Sequence, residues 1–290
     1  MPFWPEVDAA IASATGEPFA ARERAPLGGG CINTAWRLEG HQERYFVKLN
    51  QAGLAPAFAA EAAALEALAA TRTVRVPRPV CHGQLAEQAF LVLEYLELGR
   101  GDARAEARLG HDLAALHACH ASRFGWERDN TIGSTPQPNG WRADWVEFWR
   151  EQRLGHQLRL AAGHGLRWRG ADTLLERVDR LLAGHRPAPS LLHGDLWGGN
   201  WAALPGGTPV VFDPALYYGD READLAMTEL FGGFGRAFHA AYREAAPLAD
   251  GYPLRRELYN LYHVLNHANL FGGAYAGQAQ RLIDRLLAAL

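Results

Sequence analysis

Asp195 and Asn200 stand five residues apart in LLHGDLWGGN (191–200), and Asp213 follows thirteen residues later in VVFDPA (210–215). A carboxylate that orients an attacking hydroxyl and takes its proton, followed by an amide and a second carboxylate of hard oxygen, is the donor set that phosphoryl transfer needs. Asp195 suits the first task. Asn200 and Asp213 suit Mg²⁺ bridging the phosphates of ATP, because an amide beside a carboxylate holds the ion without overcharging its surroundings. His-x-Asp with a distant Asn is a weak signal alone, since Asp and Asn also favour plain turns. The later Asp behind an apolar run, with further elements upstream in the right order, makes it specific.

Those upstream elements supply a nucleotide half. Gly28, Gly29 and Gly30 sit between two β-like runs, and a glycine backbone leaves N–H groups unshielded to lie over phosphates. Lys48, in YFVKL, offers a point charge for the α- and β-phosphates, and Glu61 on the following helix can orient that ammonium. Glu66, on another side of the same helix, is the second choice. A strand lysine is ordinarily a solvated side chain. Composition sharpens this one: of 29 Lys and Arg residues, Lys48 is the sole lysine. Arg serves wherever a generic cation suffices, so the exception is expected where a compact ammonium differs from a planar fork, and a phosphate is such a place.

Positioning these groups requires a particular scaffold. Residues 3–15 read as a short helix and 17–50 as β-like runs around the glycine turn. AFAAEAAALEALAA (57–70) is built of strong helix formers, VRVPRPV (74–80) is extended by its prolines, and FLVL (90–93) is a short buried strand. Beyond 102 the texture turns helical: 104–120 with Leu109, Leu113, Ala114 and Leu116 on one face, then a Gly/Pro/Asn-rich loop (125–140). An aromatic helix follows over 141–154, then a helix over 171–183, and an almost wholly helical stretch from 220 to 290. Leu191-Leu192 and Val210–Phe212 are strand-like. The expected class is α+β, with a small sheet-bearing N-terminal lobe (1–95), a hinge over Glu94, Tyr95 and Leu96, and a larger helical lobe (96–290).

Composition removes several alternatives. With 32 acidic residues and a formal charge of −3, the 290-residue chain has no basic field for nucleic acid or an anionic membrane, and its arginines form no run. At 48% hydrophobic it supports a sizeable core. Glu61 and Glu66 interrupt the apolar segment from Ala52 to Ala70, the opening MPFWPEVDAA lacks a secretory pattern, and three cysteines make no disulfide framework. A cytoplasmic protein is the expectation; oligomeric state is left open.

The set GGGCINTAW, YFVKLN, FLVLEYL, LGHDLAALH, HGDLWGGN, DPALYYGDREADLAM and LYHVLNHANLFGGAY resembles the fructosamine (ketosamine) kinase family, within the aminoglycoside- and choline-kinase-like branch of the protein-kinase-like fold. The likeness runs from about residue 16 to 276. It implies a bilobal fold, Asp195 as catalytic base, Asn200 and Asp213 as Mg²⁺ ligands, Lys48 with Glu61 at the ATP phosphates, and adenine read by backbone groups of Glu94–Leu96. It further implies ATP-dependent phosphorylation of the sugar 3-hydroxyl of ketosamines, as small molecules or on glycated proteins, in deglycation. An aminoglycoside- or choline-type kinase and a non-catalytic nucleotide-binding scaffold are the alternatives.

Several residues carry secondary expectations. Trp197 is placed to project towards the acceptor, as stacking surface or as packing. His193 is expected to brace the catalytic loop, and Asp224 to accept its backbone N–H groups, with Asp220 and Arg221 pairing nearby. His263, Asn266 and His267 share a helical face, either lining the acceptor pocket or forming a polar core. Cys31 follows the glycines, where backbone N–H groups would make it a redox-sensitive thiol unless it simply packs. The histidines otherwise suggest no metal cluster.

Overall fold

The computed structural model describes residues 3–28 and 33–290. Along the chain run α1 (Phe3–Thr15), β1 (Glu23–Leu27), β2 (Thr34–Glu39), β3 (Arg44–Gln51), α2 (Ala55–Thr71), β4 (Pro79–Leu85) and β5 (Gln88–Glu94). They are followed by α3 (Ala103–His117), β6 (Asn130–Ile132), β7 (Thr135–Gln137), α4 (Trp145–Phe148), a π-helical turn (Trp149–Leu154), α5 (Gly155–Gly163), α6 (Ala171–Glu176) and α7 (Val178–Leu181). The remainder is β8 (Ser190–Leu192), β9 (Trp201–Ala203), β10 (Pro209–Val211), β11 (Tyr217–Gly219), α8 (Glu222–Leu230), α9 (Arg236–Ala245), α10 (Tyr252–Phe271) and α11 (Ala274–Ala288). The class is α+β, as expected. The chain divides into two compact units, Met1–Gly101 with Ala202–Asp213, and Asp102–Trp201 with Pro214–Leu290.

In the first unit five antiparallel strands lie in the order β1-β2-β3-β5-β4. Strand alternation gives each face its own helix. Val47 and Leu49 of β3, with Phe90 and Val92 of β5, join Leu38, Val7 and Ile11 in the core beneath α1. Lys48, between Val47 and Leu49, therefore points to the opposite face, where α2 packs on β4 and β5. The segment Ala52–Thr71 is long and apolar enough to cross a membrane by composition alone. Here its apolarity serves packing: Phe58, Leu65 and Leu68 are buried, and Glu61 at its middle is ion-paired to Lys48. The β9–β10 pair joins this unit through contacts remote in sequence. Gly99 and Ala203 exchange backbone hydrogen bonds (2.8 and 3.0 Å), and Val211 N–H donates to the Arg75 carbonyl (2.9 Å).

The second unit is built around α10, whose Leu258, Tyr259, Leu261, Tyr262, Val264 and Leu265 are all buried against α5, α8 and α11. Three departures from the sequence pattern matter. The aromatic helix begins at Trp145, capped by Asp144, and passes through the π turn; the helix expected over 171–183 breaks at Arg177; and the loop 125–140 holds the β6–β7 hairpin. The π turn carries Arg153 fully inside, stacked over Tyr217 (4.0 Å) and Phe148 (4.6 Å) and donating to the Pro138 carbonyl (2.7 Å).

Helices α3 and α9 meet so closely that a Cβ on Gly110 would lie 2.5 Å from the Phe238 carbonyl oxygen and 3.0 Å from the Tyr242 nitrogen. Helix propensity alone makes Gly110→Ala stabilising by about 1 kcal/mol. Overpacking costs about 1–3 kcal/mol, so the variant should unfold at lower temperature than the parent. An unchanged or raised Tm in a thermal melt would contradict this close approach.

Candidate active site

In the first unit the Lys48 ammonium is held between two carboxylates. Its Nζ donates to Glu61 Oε1 (2.5 Å) and to Asp213 Oδ1 (2.6 Å), with the lysine side chain only 7% exposed against 48% for Asp213. Burial alone would push the ammonium pKa down, but Asp213 and then Glu61 outweigh it, and Lys48 titrates above the ordinary lysine range. Asp213 sits directly behind β10 with φ +57°, a left-handed backbone uncommon outside glycine, which Asp tolerates better than most residues. Glu66 is exposed and distinct from this triad. Gly28 is exposed at the end of β1; Gly29, Gly30 and Cys31 lie outside the described residues.

Glu94, Tyr95 and Leu96, expected as a hinge, are also tied into this unit. Glu94 closes β5: its N–H donates to the Arg78 carbonyl (2.8 Å) and its carboxylate receives Arg75 Nη2 (2.6 Å). Tyr95 lies beneath the Arg44 guanidinium (5.1 Å), and Leu96 is half-buried. Arg75 therefore has two connections, its backbone to β10 and its side chain to Glu94, which no local pattern marks.

In the second unit Asp195 is half-buried in the turn after β8, and Asn200 is 5% exposed. Asn200 Nδ2 donates to the Asp195 carbonyl (2.8 Å) and to its Oδ2 (3.3 Å). The donor end of the amide is thus turned to Asp195, and its other end is a carbonyl oxygen of the hard kind Mg²⁺ prefers. The loop backbone is anchored by a fully buried carboxylate: Asp224 accepts the N–H groups of His193 (2.7 Å) and Gly194 (2.8 Å) and Nε2–H of His117 (3.1 Å). Burial would raise Asp224, but the hydrogen bonds from His117 and the Gly194 N–H hold it below the usual aspartate value. His193 Nδ1 receives the Asp195 N–H (3.3 Å).

Sequence reasoning missed the second layer of this anchor. His117 Nδ1 takes a hydrogen bond from the Tyr242 hydroxyl (2.8 Å), which Arg221 Nη1 meets in turn (3.1 Å). Arg221 and Asp220 do not pair with each other. Asp220 accepts from the Tyr259 hydroxyl (2.5 Å) and contacts His185 Nε2 (2.6 Å), while Arg221 reaches the Ala246 carbonyl (3.0 Å). His185, Asp220 and Glu222 bring ligand-type atoms within 4.8 Å, yet Glu222 is locked bidentately to Arg255 (2.6 and 2.8 Å), so the group is satisfied by the protein itself.

Trp197 is 40% exposed, and its indole lies over Gly199, where a Cβ would fall 2.3 Å from the ring. On α10, Asn266 is committed to the core through Gln157 (3.2 Å). His267 bonds the His263 carbonyl (2.8 Å) and sits among Phe231, Tyr275 and Phe271, with ring centroids 4.7–5.6 Å away. His263 is buried, and its Nδ1 makes no hydrogen bond among the described residues.

The fold belongs to the protein-kinase-like phosphotransferases. It is shared with an aminoglycoside phosphotransferase solved as a ternary complex with AMP-PNP and hygromycin B (TM-score 0.59, 17% identity, 98% of each chain). A Haemophilus somnus structure described as a fructosamine-3-kinase superposes far better, with TM-score 0.93, 31% identity, and coverage of 98% of this chain and 97% of that one. A probable ketoamine kinase of Synechocystis is 51% identical across 98% of this chain and 97% of its own. The protein-ribulosamine 3-kinase of Arabidopsis thaliana is 44% identical across 91% and 82%. The fructosamine kinase family model matches residues 3–289. The chain belongs to the fructosamine kinase family.

One acid-sensitive element follows from the site geometry. Burial, with His267 adding to it, pushes the His263 imidazole down to about 3, whereas the unfolded chain titrates it near 6.5. Its contribution to stability is therefore complete above pH 6.5 and is lost as pH falls towards 3. Between pH 7 and pH 5 this removes about 2 kcal/mol, a loss that His263→Gln should not suffer. Urea unfolding at both pH values checks it; equal losses in parent and variant would contradict it.

Proposed function

We propose that this chain transfers the γ-phosphoryl group of ATP to the sugar 3-hydroxyl of ketosamines, free or carried on protein amines. The buried Lys48 ammonium between Glu61 and Asp213 is the observation that carries the kinase reading. Two carboxylates and one ammonium leave one net negative charge, and a divalent cation on Asp213 turns this into one net positive charge suited to phosphate. The hard-oxygen donor set fits such an ion: Asp213 carboxylate and Asn200 carbonyl would hold Mg²⁺. When bound, Mg²⁺ supplies neutralisation of phosphate-oxygen charge.

In this reading Lys48 places its ammonium at the α- and β-phosphates, and Glu61 keeps it there. The glycines 28–30 offer backbone N–H groups to phosphate oxygens. Because the Glu94 N–H and carboxylate already serve the fold, adenine falls to the Glu94 carbonyl and the backbone of Tyr95 and Leu96. Asp195 orients the acceptor hydroxyl and takes its proton, while Asp224 and His193 keep that carboxylate in place. Trp197 offers an exposed indole face to the sugar or its protonated amine, with His267 and His263 as lesser acceptor contacts. Phosphate at the sugar 3-position is a far better leaving group than hydroxide, so its loss and hydrolysis of the resulting imine free the amine, which is deglycation. An ATP-consuming enzyme with Cys81 and Cys119 unlinked fits the reducing cytoplasm.

Incubation with MgATP across fructosamine, ribulosamine and erythrulosamine acceptors, followed by ³¹P NMR, should give sugar 3-phosphates. Turnover of aminoglycosides or choline, with none of ketosamines, would contradict the substrate assignment. Asp195→Asn should lower kcat by about 10²–10⁴-fold, the usual cost of an acid/base group. Near-normal turnover would remove Asp195 from the base role.

A further inference from the structure

A buried amide relay outside every motif described so far reaches the catalytic loop from behind. The cross-strand pair Asn130 and Gln137 of the β6–β7 hairpin turn their side chains to one side. Gln137 Nε2 donates to the Ala215 carbonyl (3.0 Å), and Asn130 Nδ2 donates to the Leu216 carbonyl (2.8 Å). Ala215 in turn donates its N–H to the His193 carbonyl (2.9 Å), two residues before Asp195. Its own carbonyl lies so near Gly194 (φ +85°) that a Cβ there would be 2.0 Å from it. The His193 peptide is thereby fixed on both sides, by Asp224 at its N–H and by Ala215 at its carbonyl.

Both amides are themselves oriented. The Tyr262 hydroxyl donates to Gln137 Oε1 (2.6 Å), and Asn130 Oδ1 accepts from Gln137 (2.8 Å) and from Asn139 (2.9 Å). Asn139 Oδ1 receives Nη2 of the buried Arg153 (2.7 Å). These chains lead to Ala215 and Leu216, and with Gln137, Asn139 and Arg153 0% exposed and Asn130 8% exposed, little solvent competes. In a low-dielectric interior such directed chains hold their geometry tightly.

We propose that Gln137 and Asn130 are positioning residues for Asp195, acting through the Ala215–Leu216 backbone and His193, with Tyr262 and Arg153 orienting their amides. This rests on Asp195 being the catalytic base. Displacing a reacting group by about 1 Å can cost about 10²-fold in rate, so Gln137→Met should lower kcat about 10- to 100-fold while KM for ATP and for the ketosamine stay within about twofold.

The decisive comparison repeats Gln137→Met in an Asp195→Asn background. A residue acting only through Asp195 has nothing left to position there, and the second substitution should change kcat by less than about twofold. An equal fold-loss in both backgrounds, or no loss in either, overturns the proposal. Wild-type turnover by Asp195→Asn alone overturns the base assignment instead. Tyr262→Phe, which deletes a single oxygen, runs through the same two backgrounds with an expected loss of about 3- to 10-fold and carries the test if Gln137→Met does not fold.

Discussion

A single buried ammonium organises the first unit. Desolvating Lys48 is tolerable only because two carboxylates meet it, and those carboxylates come from segments that share no local structure: Glu61 from α2 and Asp213 from the end of β10. The pairing dictates that β3 present Lys48 to the face covered by α2, and that α2 interrupt an apolar helix with Glu61. It also keeps β10 within this unit, where Arg75 and Gly99 tie the β9–β10 pair by backbone hydrogen bonds. Removing Lys48 would strand the buried Glu61 carboxylate, so the interaction constrains strand register, helix composition and connectivity together.

The second unit meets a comparable demand with directed hydrogen bonds to one buried carboxylate and to backbone groups. The His193–Gly194–Asp195 turn exposes backbone polar atoms inside the protein, and each is met by a specific partner. Asp224 takes the N–H groups, and Ala215 serves the His193 carbonyl. Behind these stand His117, Tyr242 and Arg221 on one side, and the amides of the β6–β7 hairpin on the other. A turn held this way keeps a carboxylate in a fixed direction at no reorganisation cost when a substrate arrives.

Much of this was legible in the sequence where information is local. The spacing of Asp195, Asn200 and Asp213 and the alternation around Lys48 are visible within short windows, as is the α+β order of elements. What escaped depends on partners far along the chain. Gln137 and Asn130 lie in three-residue strands too short to show a period, so their loop reads as polar filler. Nothing local marks Arg153 as buried, because burying a guanidinium requires carbonyls and aromatic faces supplied by remote segments. The residues 202–213 look continuous with the helical half, yet cluster with the sheet through Arg75 and Gly99. His117 gives no hint of its bond to Asp224, more than one hundred residues away.

In the proposed reaction the sole lysine is a compact charge for ATP phosphates that a planar cation cannot replace. Steady-state kinetics of Lys48→Arg against ATP test it most directly. The substitution keeps the charge in a slot only 7% exposed and misplaces it. The expected result is a fall in kcat/KM for ATP of about 10²-fold, with KM for the ketosamine little changed and the fold intact. ATP kinetics within about twofold of the parent protein would contradict it.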